Sequence, residues 1–241
     1  MVTAIVVAAG KGKRLKSRVA KPLIKLSGKP LLAYSLEVFN RHPCIDEIIV
    51  VVNKRICQEV FKIIRRYRID KAGKIVLGGL RRQDSVACGL SQVSNCSEIV
   101  LIHDAGRPFV TGEIISRVLK EVSKSGAAVA GVPVKATIKQ VKRKKEKGEI
   151  ISKNPKVQNQ ILVEKTLDRK LIWEAQTPQG FKKDIILSAY KKYGKFDVTD
   201  DAMLVEKTGH KVSMVLGAYS NIKVTTAEDL VITGEIIKRK D

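Results

Sequence analysis

Residues 2–15 read Val-Thr-Ala-Ile-Val-Val-Ala-Ala-Gly-Lys-Gly-Lys-Arg-Leu, a short apolar run that passes directly into a glycine-rich basic loop. The apolar part is typical of a buried parallel strand, because helices cover both faces of such a strand. The glycines let backbone N–H groups approach phosphate oxygens closely, and the lysines and the arginine supply positive charge. This stretch therefore predicts a parallel sheet with an anion-binding loop after its first strand.

Strand-like and helix-like segments alternate along the first half of the chain. The apolar runs are Thr3–Ala8, Ile48–Val52, Ile75–Leu77, Ile99–Ile102 and Ala127–Val132. The amphipathic stretches are Leu31–Asn40, Ile56–Arg66, Ser85–Val93 and Gly112–Ser123. This alternation predicts an α/β fold with a doubly wound, mostly parallel sheet of Rossmann-like type. Right-handed crossovers would then bring the loops that follow the strands to one edge, where ligands of such sheets bind.

The alternation stops after Val132, and the segment at about 134–170 reads as an arm inserted into a single domain of residues 1–241. A turn at Lys147-Gly-Glu149 lies between Thr137–Val141 and Ile150–Ile151, which predicts a β-hairpin. Helical patterns return at Lys183–Lys192, at Thr199–Lys207 and after the capping-box pattern Thr226-Ala-Glu-Asp229.

The composition is that of a soluble globular protein with an anionic partner. The 241 residues include 46 Lys and Arg against 24 Asp and Glu, a net charge of +22. The N-terminal apolar run is too short to cross a membrane or to act as a signal peptide. Cys44, Cys57, Cys88 and Cys96 match neither a zinc-binding pair nor a secreted disulfide framework. We expect a cytoplasmic protein with reduced cysteines and no membrane association.

Two common glycine loops do not fit the first loop. A dinucleotide fingerprint requires a third glycine and an acidic residue at the end of the second strand, where this chain has Leu15 and Asn53. A Walker loop requires four residues between its glycines, whereas one residue separates Gly10 from Gly12. The interpretation that remains is a loop of the nucleotidyltransferase type.

A carboxylate follows the fourth predicted strand on the same edge of the sheet. Leu101-Ile-His-Asp-Ala-Gly-Arg-Pro108 places Asp104 there. A carboxylate beside a basic phosphate site usually binds Mg²⁺, and another divalent ion could serve. The alternative role of Asp104 is that of a loop cap. His103 has no nucleophile motif near it, and we interpret it as a structural residue.

Several motifs occur in order along nearly the whole chain. They are Ala8-Ala-Gly-Lys-Gly-Lys-Arg14, Lys21, Gly78-Gly79 with Arg82 and Asp84-Ser85, His103-Asp-Ala-Gly-Arg-Pro108, Pro133-Val-Lys-Ala-Thr137, Thr177-Pro-Gln179, Val198-Thr-Asp200 and Asn221-Ile-Lys-Val-Thr225. Together they resemble the 2-C-methyl-D-erythritol 4-phosphate cytidylyltransferase family of the non-mevalonate isoprenoid pathway. The resemblance implies Mg²⁺-dependent transfer of a cytidylyl group from CTP to a sugar-alcohol phosphate, which yields 4-diphosphocytidyl-2-C-methyl-D-erythritol and pyrophosphate.

The resemblance also implies roles for individual residues. Catalytic roles are implied for Arg14, Lys21, Arg169 and Lys223, the first two as stabilisers of the transition state. Nucleotide contacts are implied for Ala8, Ala9, Gly10, Gly12, Lys13, Gly79, Arg82, Ser85 and Ala105. Contacts with the sugar phosphate are implied for Arg107, Thr137, Thr177 and Thr199, and a metal contact for Asp104. In the family the arm forms a homodimer, in which the arginine matching Arg169 reaches the neighbouring active site.

The chain departs from the family pattern in three places. Leu80 stands where an acidic residue is frequent, Gly106 replaces a frequent Ala or Val, and the arm is longer than usual. A ribitol-5-phosphate cytidylyltransferase shares the glycine loop and the aspartate motif and is the alternative within enzymes. Pro133–Lys139 and Asp168-Arg169 resemble the methylerythritol branch more closely.

A basic nucleic-acid-binding protein is the alternative from a different class. The net charge of +22 and the basic run Lys142–Lys147 motivate it. Only 5% of the residues are aromatic, which leaves few side chains for base stacking. Charge alone gives weak, salt-sensitive binding without sequence preference, so we expect no specific nucleic-acid partner.

Overall fold

The computed structural model describes residues 1–10, 12–15, 17, 19–143 and 161–238. The strands of this part of the chain are β1 Val2–Val7, β2 Lys25–Leu26, β3 Lys29–Pro30, β4 Glu47–Val52, β5 Lys74–Leu77, β6 Ile99–Asp104, β7 Ala127–Pro133, β8 Lys139–Arg143, β9 Ile161–Thr166, β10 Trp173–Lys182 and β11 Ser213–Leu216. Its α-helices are α1 Leu31–Arg41, α2 Cys57–Arg66, α3 Arg82–Leu90, α4 Gly112–Ser125, α5 Lys183–Tyr193, α6 Ala202–Lys207 and α7 Ala227–Lys238.

Seven strands form the main sheet, in the order β11-β7-β10-β6-β1-β4-β5. Strand β1 lies parallel to both β4 and β6, and the pairs β4–β5 and β7–β11 are parallel as well. Strand β10 runs antiparallel to β6. The predicted α/β fold with a mostly parallel, doubly wound sheet is therefore confirmed.

Helices cover both faces of this sheet. On one face, side chains of α1, α2 and α4 such as Leu36, Val60 and Ile114 pack on the strands. On the other face, Val86 of α3 and Leu204 of α6 belong to a second cluster, which also contains residues of α5. Because both faces are covered, the central strands are apolar along their length rather than alternating.

The chain divides into two compact units, which are described separately. The larger unit consists of Met1–Gly131 and Ala175–Asp241, and the smaller unit is Val132–Glu174. The inserted arm that the sequence predicts at about 134–170 corresponds in position to the smaller unit.

A third, small apolar cluster in the larger unit joins segments from both ends of the chain. Its buried members are Leu15, Leu26, Leu31, Phe109, Val224 and Ile237. Leu15 follows the first loop, Val224 lies shortly before α7, and Ile237 belongs to α7 itself. The cluster thus packs the first loop and the C-terminal helix against the same side chains.

Two helices begin three residues away from their predicted starts. Helix α3 begins at Arg82, three residues early, because the Asp84 carboxylate accepts a hydrogen bond from the Arg81 backbone N–H at 3.0 Å and so caps the helix. Helix α6 begins at Ala202 rather than Thr199, because Asp200 accepts from the Met203 N–H at 3.1 Å. In both cases a carboxylate inside the predicted helix or loop binds the free N–H groups of the first turn.

Amphipathic helix α4 shows how the sequence sets helix ends. The Thr111 hydroxyl accepts from the Ile114 N–H at its start, and Gly126 ends it with a φ of +83°, which favours glycine. Along the described part of the chain, no helix is both long and apolar enough to cross a membrane.

The smaller unit contains an antiparallel pair of strands, β8 and β9. Val141 of β8 is paired with Val163 of β9, and a bulge interrupts the register between Gln140 and Val141. The sequence predicts the return strand at Ile150–Ile151, whereas the described partner of β8 is β9, further along the chain. The predicted turn at Lys147–Glu149, Ile150–Ile151 and the basic run beyond Arg143 lie outside the described residues.

Candidate active site

Backbone hydrogen bonds hold the loops that follow β1, β5 and β6 to the ends of neighbouring strands at the carboxyl edge of the sheet. The Ala8 N–H donates to the Val51 carbonyl at 2.7 Å, and the Gly78 N–H donates to the Val52 carbonyl at 2.8 Å. The Ala105 N–H donates to the Val7 carbonyl at 3.1 Å. The edge that the sequence predicts as the ligand site therefore brings three loops with predicted nucleotide contacts together.

Glycine at positions 78 and 79 allows these loops to pack closely. A Cβ atom on Gly78 would lie 2.5 Å from Ala9 Cβ and 2.7 Å from Ser85 Oγ, and one on Gly79 would collide with Asp84 Cβ. The Gly79 N–H also donates to Ser85 Oγ at 3.2 Å. Of the predicted nucleotide contacts, Ala9, Gly79 and Ser85 are thus brought into direct proximity.

The first loop ends in a short 3₁₀ turn, Lys13–Leu15, that carries Arg14. The Leu15 N–H donates to the Gly12 carbonyl at 3.0 Å, and Gly12 has a φ of +60°, which favours glycine. Leu15 is buried in the small apolar cluster, whereas Arg14 is exposed. The turn therefore anchors the loop through Leu15 and exposes the preceding side chain, Arg14, to solvent. The side chain of Lys13 lies outside the described part of the chain.

Asp104, the last residue of β6, lies between two cationic side chains. Arg82 Nε donates to Asp104 Oδ1 at 2.8 Å, and Lys223 Nζ donates to Asp104 Oδ2. Burial alone would raise the pKa of Asp104, but the charges of Arg82 and Lys223 outweigh it and hold that pKa well below its usual range. Asp104 is therefore an ionised carboxylate in a strongly cationic environment.

Lys21 adds a third cation beside this cluster. Its ammonium donates to the Val224 carbonyl at 3.1 Å, next to Lys223 in the chain. Burial, and then the charge of Lys223, lower the pKa of Lys21, while the charge of Asp104 opposes them. A Cβ on Gly106 would lie 2.6 Å from Lys21 Nζ, so glycine at this position leaves space for the ammonium.

A chain of buried hydrogen bonds holds the backbone of Asp104. The Asp104 N–H donates to Thr177 Oγ1 at 3.1 Å, and His103 Nδ1 lies 3.0 Å from the same hydroxyl. His103 Nε2 lies 3.1 Å from the Arg107 carbonyl, which only accepts, so we assign the proton to Nε2 and the acceptor role to Nδ1. Burial lowers the pKa of His103 to about 4, in agreement with a neutral ring. This arrangement agrees with the structural role predicted for His103.

Arg107 and Thr177, both predicted to contact the sugar phosphate, have inward partners. The Arg107 guanidinium is buried and donates to the carbonyls of Asn221, at 2.7 Å, and Ala175, at 3.1 Å. The Thr177 hydroxyl is used within the hydrogen-bond chain around Asp104. Both side chains therefore hold the segments that carry Lys223 and Asp104, and a direct substrate contact for either stays a prediction.

The sequence did not single out Asp201 or Tyr190, which belong to the same charged network. Asp201 is fully buried, and its Oδ2 lies 2.8 Å from Arg82 Nη1. The Tyr190 hydroxyl donates to Asp201 Oδ1 at 2.6 Å. The available signal was the motif Val198-Thr-Asp200, which ends one residue before Asp201, whereas Thr199 itself is exposed.

Two predicted site residues, Thr137 and Arg169, belong to the smaller unit. Both are exposed there. Arg169 lies in a short turn capped by the Asp168 carboxylate, and its Nη1 donates to the Lys135 carbonyl at 3.2 Å. Their contact with substrate stays a prediction.

The sequence model of one protein family, described as 2-C-methyl-D-erythritol 4-phosphate cytidylyltransferase (IspD), matches residues 2–239. The chain belongs to this family. It is therefore an enzyme of the cytidylyltransferase class, and the resemblance drawn from the motifs is confirmed.

Known proteins with this description are similar over their whole length. The chain is 44% identical to 2-C-methyl-D-erythritol 4-phosphate cytidylyltransferase of Alkaliphilus metalliredigens, with 100% of the chain and 95% of the relative covered. It is 42% identical to the protein of the same description from Shouchella clausii, with 99% and 97% covered.

Solved structures are similar in the same way. The crystal structure of 4-diphosphocytidyl-2C-methyl-D-erythritol synthase from Anaerococcus prevotii matches with a TM-score of 0.82 and 31% identity, covering 98% of this chain and 96% of the other. The 2-C-methyl-D-erythritol 4-phosphate cytidylyltransferase of Thermus thermophilus matches with a TM-score of 0.72 and 26% identity, covering 99% and 100%. The family's fold and the fold described above are thus the same.

Proposed function

We propose that the enzyme transfers the cytidylyl group of CTP to 2-C-methyl-D-erythritol 4-phosphate in isoprenoid precursor biosynthesis. A phosphate oxygen of the sugar alcohol attacks the α-phosphorus of CTP, a new P–O bond forms, and the bond to the β-phosphate oxygen breaks. The products are 4-diphosphocytidyl-2-C-methyl-D-erythritol and pyrophosphate. The observation that carries this proposal is the cluster of Arg82, Lys223 and Lys21 around Asp104 at the glycine-rich edge of the sheet.

Positive charge is the main requirement of this reaction, because two polyanions must approach each other. In our proposal the backbone of the glycine loops binds CTP, and Arg14 and Lys21 stabilise the charge that develops around the α-phosphate. Lys223 and, from the arm, Arg169 hold the attacking sugar phosphate. Fixed cations of this kind act without a covalent intermediate.

The residues around Asp104 fit a Mg²⁺ ion that binds together with the nucleotide. Mg²⁺ in nucleotide sites takes one or two carboxylates and completes its octahedral shell with phosphate oxygens and water. Asp104 offers one such carboxylate, and the described residues include no group of three or more metal-ligating side chains. When bound, the ion would neutralise charge on the triphosphate. We assign Asp104 as its protein ligand, and another divalent ion could take its place.

The reaction is tested with purified protein, CTP and 2-C-methyl-D-erythritol 4-phosphate, by following pyrophosphate release. Release that requires a divalent ion supports the proposal, and no release at millimolar Mg²⁺ refutes it. Ribitol 5-phosphate in the same assay distinguishes the alternative acceptor, which the family match does not favour. Preferential turnover of ribitol 5-phosphate would overturn the assignment of the acceptor.

The metal assignment is tested with Asp104→Asn, which keeps the shape and removes the charge. We expect the Mg²⁺ concentration for half-maximal activity to rise by about tenfold or more, since a carboxylate is lost from the ion's shell. Asp70→Asn, at an exposed position between α2 and β5, makes the same change of charge and serves as the control. An Asp104→Asn enzyme that stays active with an unchanged metal titration would leave Asp104 as a loop cap.

We further propose a homodimer formed through the arm. Exposed apolar side chains in the smaller unit support it, namely Val141 (49% exposed), Ile161 (60%), Val163 (60%) and Leu171 (79%). A two-stranded hairpin has little stability of its own in water, so a second copy would supply the missing apolar contact. In this dimer Arg169 would act in the active site of the partner subunit.

We also propose that the enzyme works in the cytoplasm, where reduced cysteines are the rule. All four cysteines are free in the structure, which supports this. Cell fractionation tests the location. A specific nucleic-acid partner is not part of the proposal, and DNA binding that survives physiological salt would count against it.

A further inference from the structure

Arg82 is held between two buried carboxylates. Its Nε lies 2.8 Å from Asp104 Oδ1 and its Nη1 lies 2.8 Å from Asp201 Oδ2. The side chain of Asp201 is 1% exposed and that of Asp104 10%, whereas that of Arg82 is 26% exposed. The guanidinium therefore contacts buried carboxylates on its inner side and is still partly exposed to solvent at the edge of the sheet.

One contact is a hydrogen bond from Nε to Asp104 Oδ1, and the other is an ion pair between Nη1 and Asp201 Oδ2. Because they use different nitrogens, together they restrict the orientation of the guanidinium. A single carboxylate bound to one nitrogen would leave the group free to rotate about that contact, whereas two partners on separate nitrogens define its orientation. Nε and one N–H of Nη1 are directed at these carboxylates, which leaves the N–H groups of Nη2 and the second N–H of Nη1 for a ligand. An oriented N–H donor at the nucleotide loops is the kind of group that binds a phosphate or a base.

Asp201 is itself immobilised by two neighbouring elements. Tyr190 of α5 donates its hydroxyl hydrogen to Asp201 Oδ1 at 2.6 Å. Gln179 of β10 accepts, at its Oε1, the backbone N–H groups of Asp201 at 3.1 Å and of Ala202 at 3.2 Å. Gln179 pairs with Ile102 of β6, two residues before Asp104. The same strand thus connects the loop of Asp201 with the strand of Asp104.

Stability alone gives no reason for a second carboxylate on Arg82. A buried ion pair costs desolvation energy that its attraction only partly returns, and an apolar pair of similar size is often as stable. Burial raises the pKa of the Asp201 carboxyl, while Arg82 and Tyr190 oppose this, which shows the cost of placing a charge there. Asp104 is shared between Arg82 and Lys223, so Asp201 brings Arg82 both negative charge and a fixed direction, and the experiment below separates these two effects.

We propose that Asp201 and Tyr190 are positioning residues that orient Arg82 toward the nucleotide. The proposal rests on the proposed function, since it requires that the enzyme binds CTP. A positioning role and a purely electrostatic role of Asp201 predict opposite changes of CTP affinity when its charge is removed. A buried negative charge near a triphosphate weakens binding, so its removal should strengthen binding if charge were all that mattered.

The test measures the Kd of CTP with Mg²⁺ by calorimetry for the wild-type enzyme, Asp201→Asn, Tyr190→Phe, Arg82→Ala and the double variant Arg82→Ala/Asp201→Asn. We expect about tenfold weaker binding for Asp201→Asn and about threefold weaker binding for Tyr190→Phe, as charge-assisted hydrogen bonds are misdirected. In the Arg82→Ala background, Asp201→Asn should change the Kd by less than about twofold, because the group that it orients is gone.

Asp70→Asn is the matched control, with the same change of net charge at an exposed site. Equal or tighter CTP binding by folded Asp201→Asn overturns the proposal, and so does an undiminished effect in the Arg82→Ala background. If Asp201→Asn does not fold, Tyr190→Phe decides the matter, since it keeps every charge, and wild-type affinity in that variant overturns the proposal. A wild-type protein that neither binds CTP nor releases pyrophosphate from it would instead refute the proposed function.

Discussion

The carboxyl edge of the main sheet and the smaller unit hold their candidate site residues in different ways. At the sheet edge, Asp104 contacts Arg82 and Lys223 directly, and its backbone is bonded to Thr177. In the smaller unit, exposed Arg169 donates to one backbone carbonyl, that of Lys135. Preorganised charges lower a reaction barrier because they need not reorganise as the reaction proceeds.

This difference separates two ways of building a site. The charges at the sheet edge are fixed by the fold of a single chain, through hydrogen bonds between residues far apart in sequence. The smaller unit presents apolar side chains such as Val163 and Leu171 to solvent, which suits a surface completed by a second copy. The following predictions test this contrast, beginning with the largest effect.

Removing one cation of the sheet edge should have the largest effect on the reaction. Lys21→Ala should lower kcat by roughly two to three orders of magnitude, as the loss of one oriented electrostatic contact often does. The melting temperature should change little, because the Lys21 ammonium contacts the Val224 carbonyl and, among the residues that the structure describes, no carboxylate directly. Lys25→Ala, at an exposed position of β2, is the control. Near wild-type turnover would remove Lys21 from the catalytic set.

Subunit mixing tests whether the arm acts on the neighbouring subunit. Lys21→Ala and Arg169→Ala proteins, each inactive alone, should recover up to about a quarter of wild-type activity after random exchange. Half of the dimers are then mixed, and each mixed dimer has one intact site. The measurement is turnover after exchange has been verified with differently tagged subunits. A mixture that stays inactive would show that Arg169 works in its own subunit or has no part in the reaction.

The buried histidine behind Asp104 should make folding depend on pH. The pKa of His103 falls from about 6.5 in the unfolded chain to about 4 in the folded one. Below about pH 6.5 His103 becomes protonated in the unfolded state but stays neutral in the folded state until about pH 4. The free energy of unfolding should therefore fall by roughly 3 kcal/mol between pH 6.5 and pH 4. Urea unfolding at several pH values gives the free energy of unfolding of the wild type and of His103→Gln. The slopes of this free energy against pH are then compared between the two proteins. Identical slopes would contradict the assigned neutral ring.

The smallest effect is expected at Gly106, one of the positions at which the resemblance implies a departure from the family pattern. A Cβ on Gly106 would lie 2.6 Å from Lys21 Nζ, the end of a flexible side chain that can move away. Gly106→Ala should therefore change kcat by about threefold or less. Gly78→Ala is the contrasting variant, because its Cβ would meet Ala9 Cβ at 2.5 Å, an atom fixed to the backbone, and should cost more activity. Equal effects would contradict this distinction.

The sequence was sufficient to place the candidate site residues of the first loop and Asp104 at one edge of the sheet, but not to show which side chains they contact. Asp104 follows an apolar run, and the carboxyl ends of parallel strands meet at one edge, so its position was predictable. Its pairing with Lys223 spans 119 residues and depends on how the C-terminal segment packs, which no local pattern encodes. Asp201 and Tyr190 were missed for the same reason, since each reads as an ordinary helix or loop residue.

Two further features of the structure were not predicted from the sequence, and each has a physical reason. Arg107 is implied as a substrate contact because it is an arginine in a site motif, yet its guanidinium donates to two backbone carbonyls. The strand β9 that pairs with β8 was not singled out from the sequence, because strand pairing depends on register, and an exposed strand specifies its register weakly. In both cases the sequence indicated the kind of residue or strand, but not the group that it contacts in the folded chain.

The small cluster of Leu15, Val224 and Ile237 makes the two ends of the chain mechanically dependent on each other. Leu15 follows Arg14 in the first loop, and Val224 follows Lys223. Each cation is therefore next in sequence to a residue of the apolar cluster that also contains Ile237 of α7. A chain shortened by that helix would keep its main sheet and lose part of the apolar packing that positions Arg14 and Lys223.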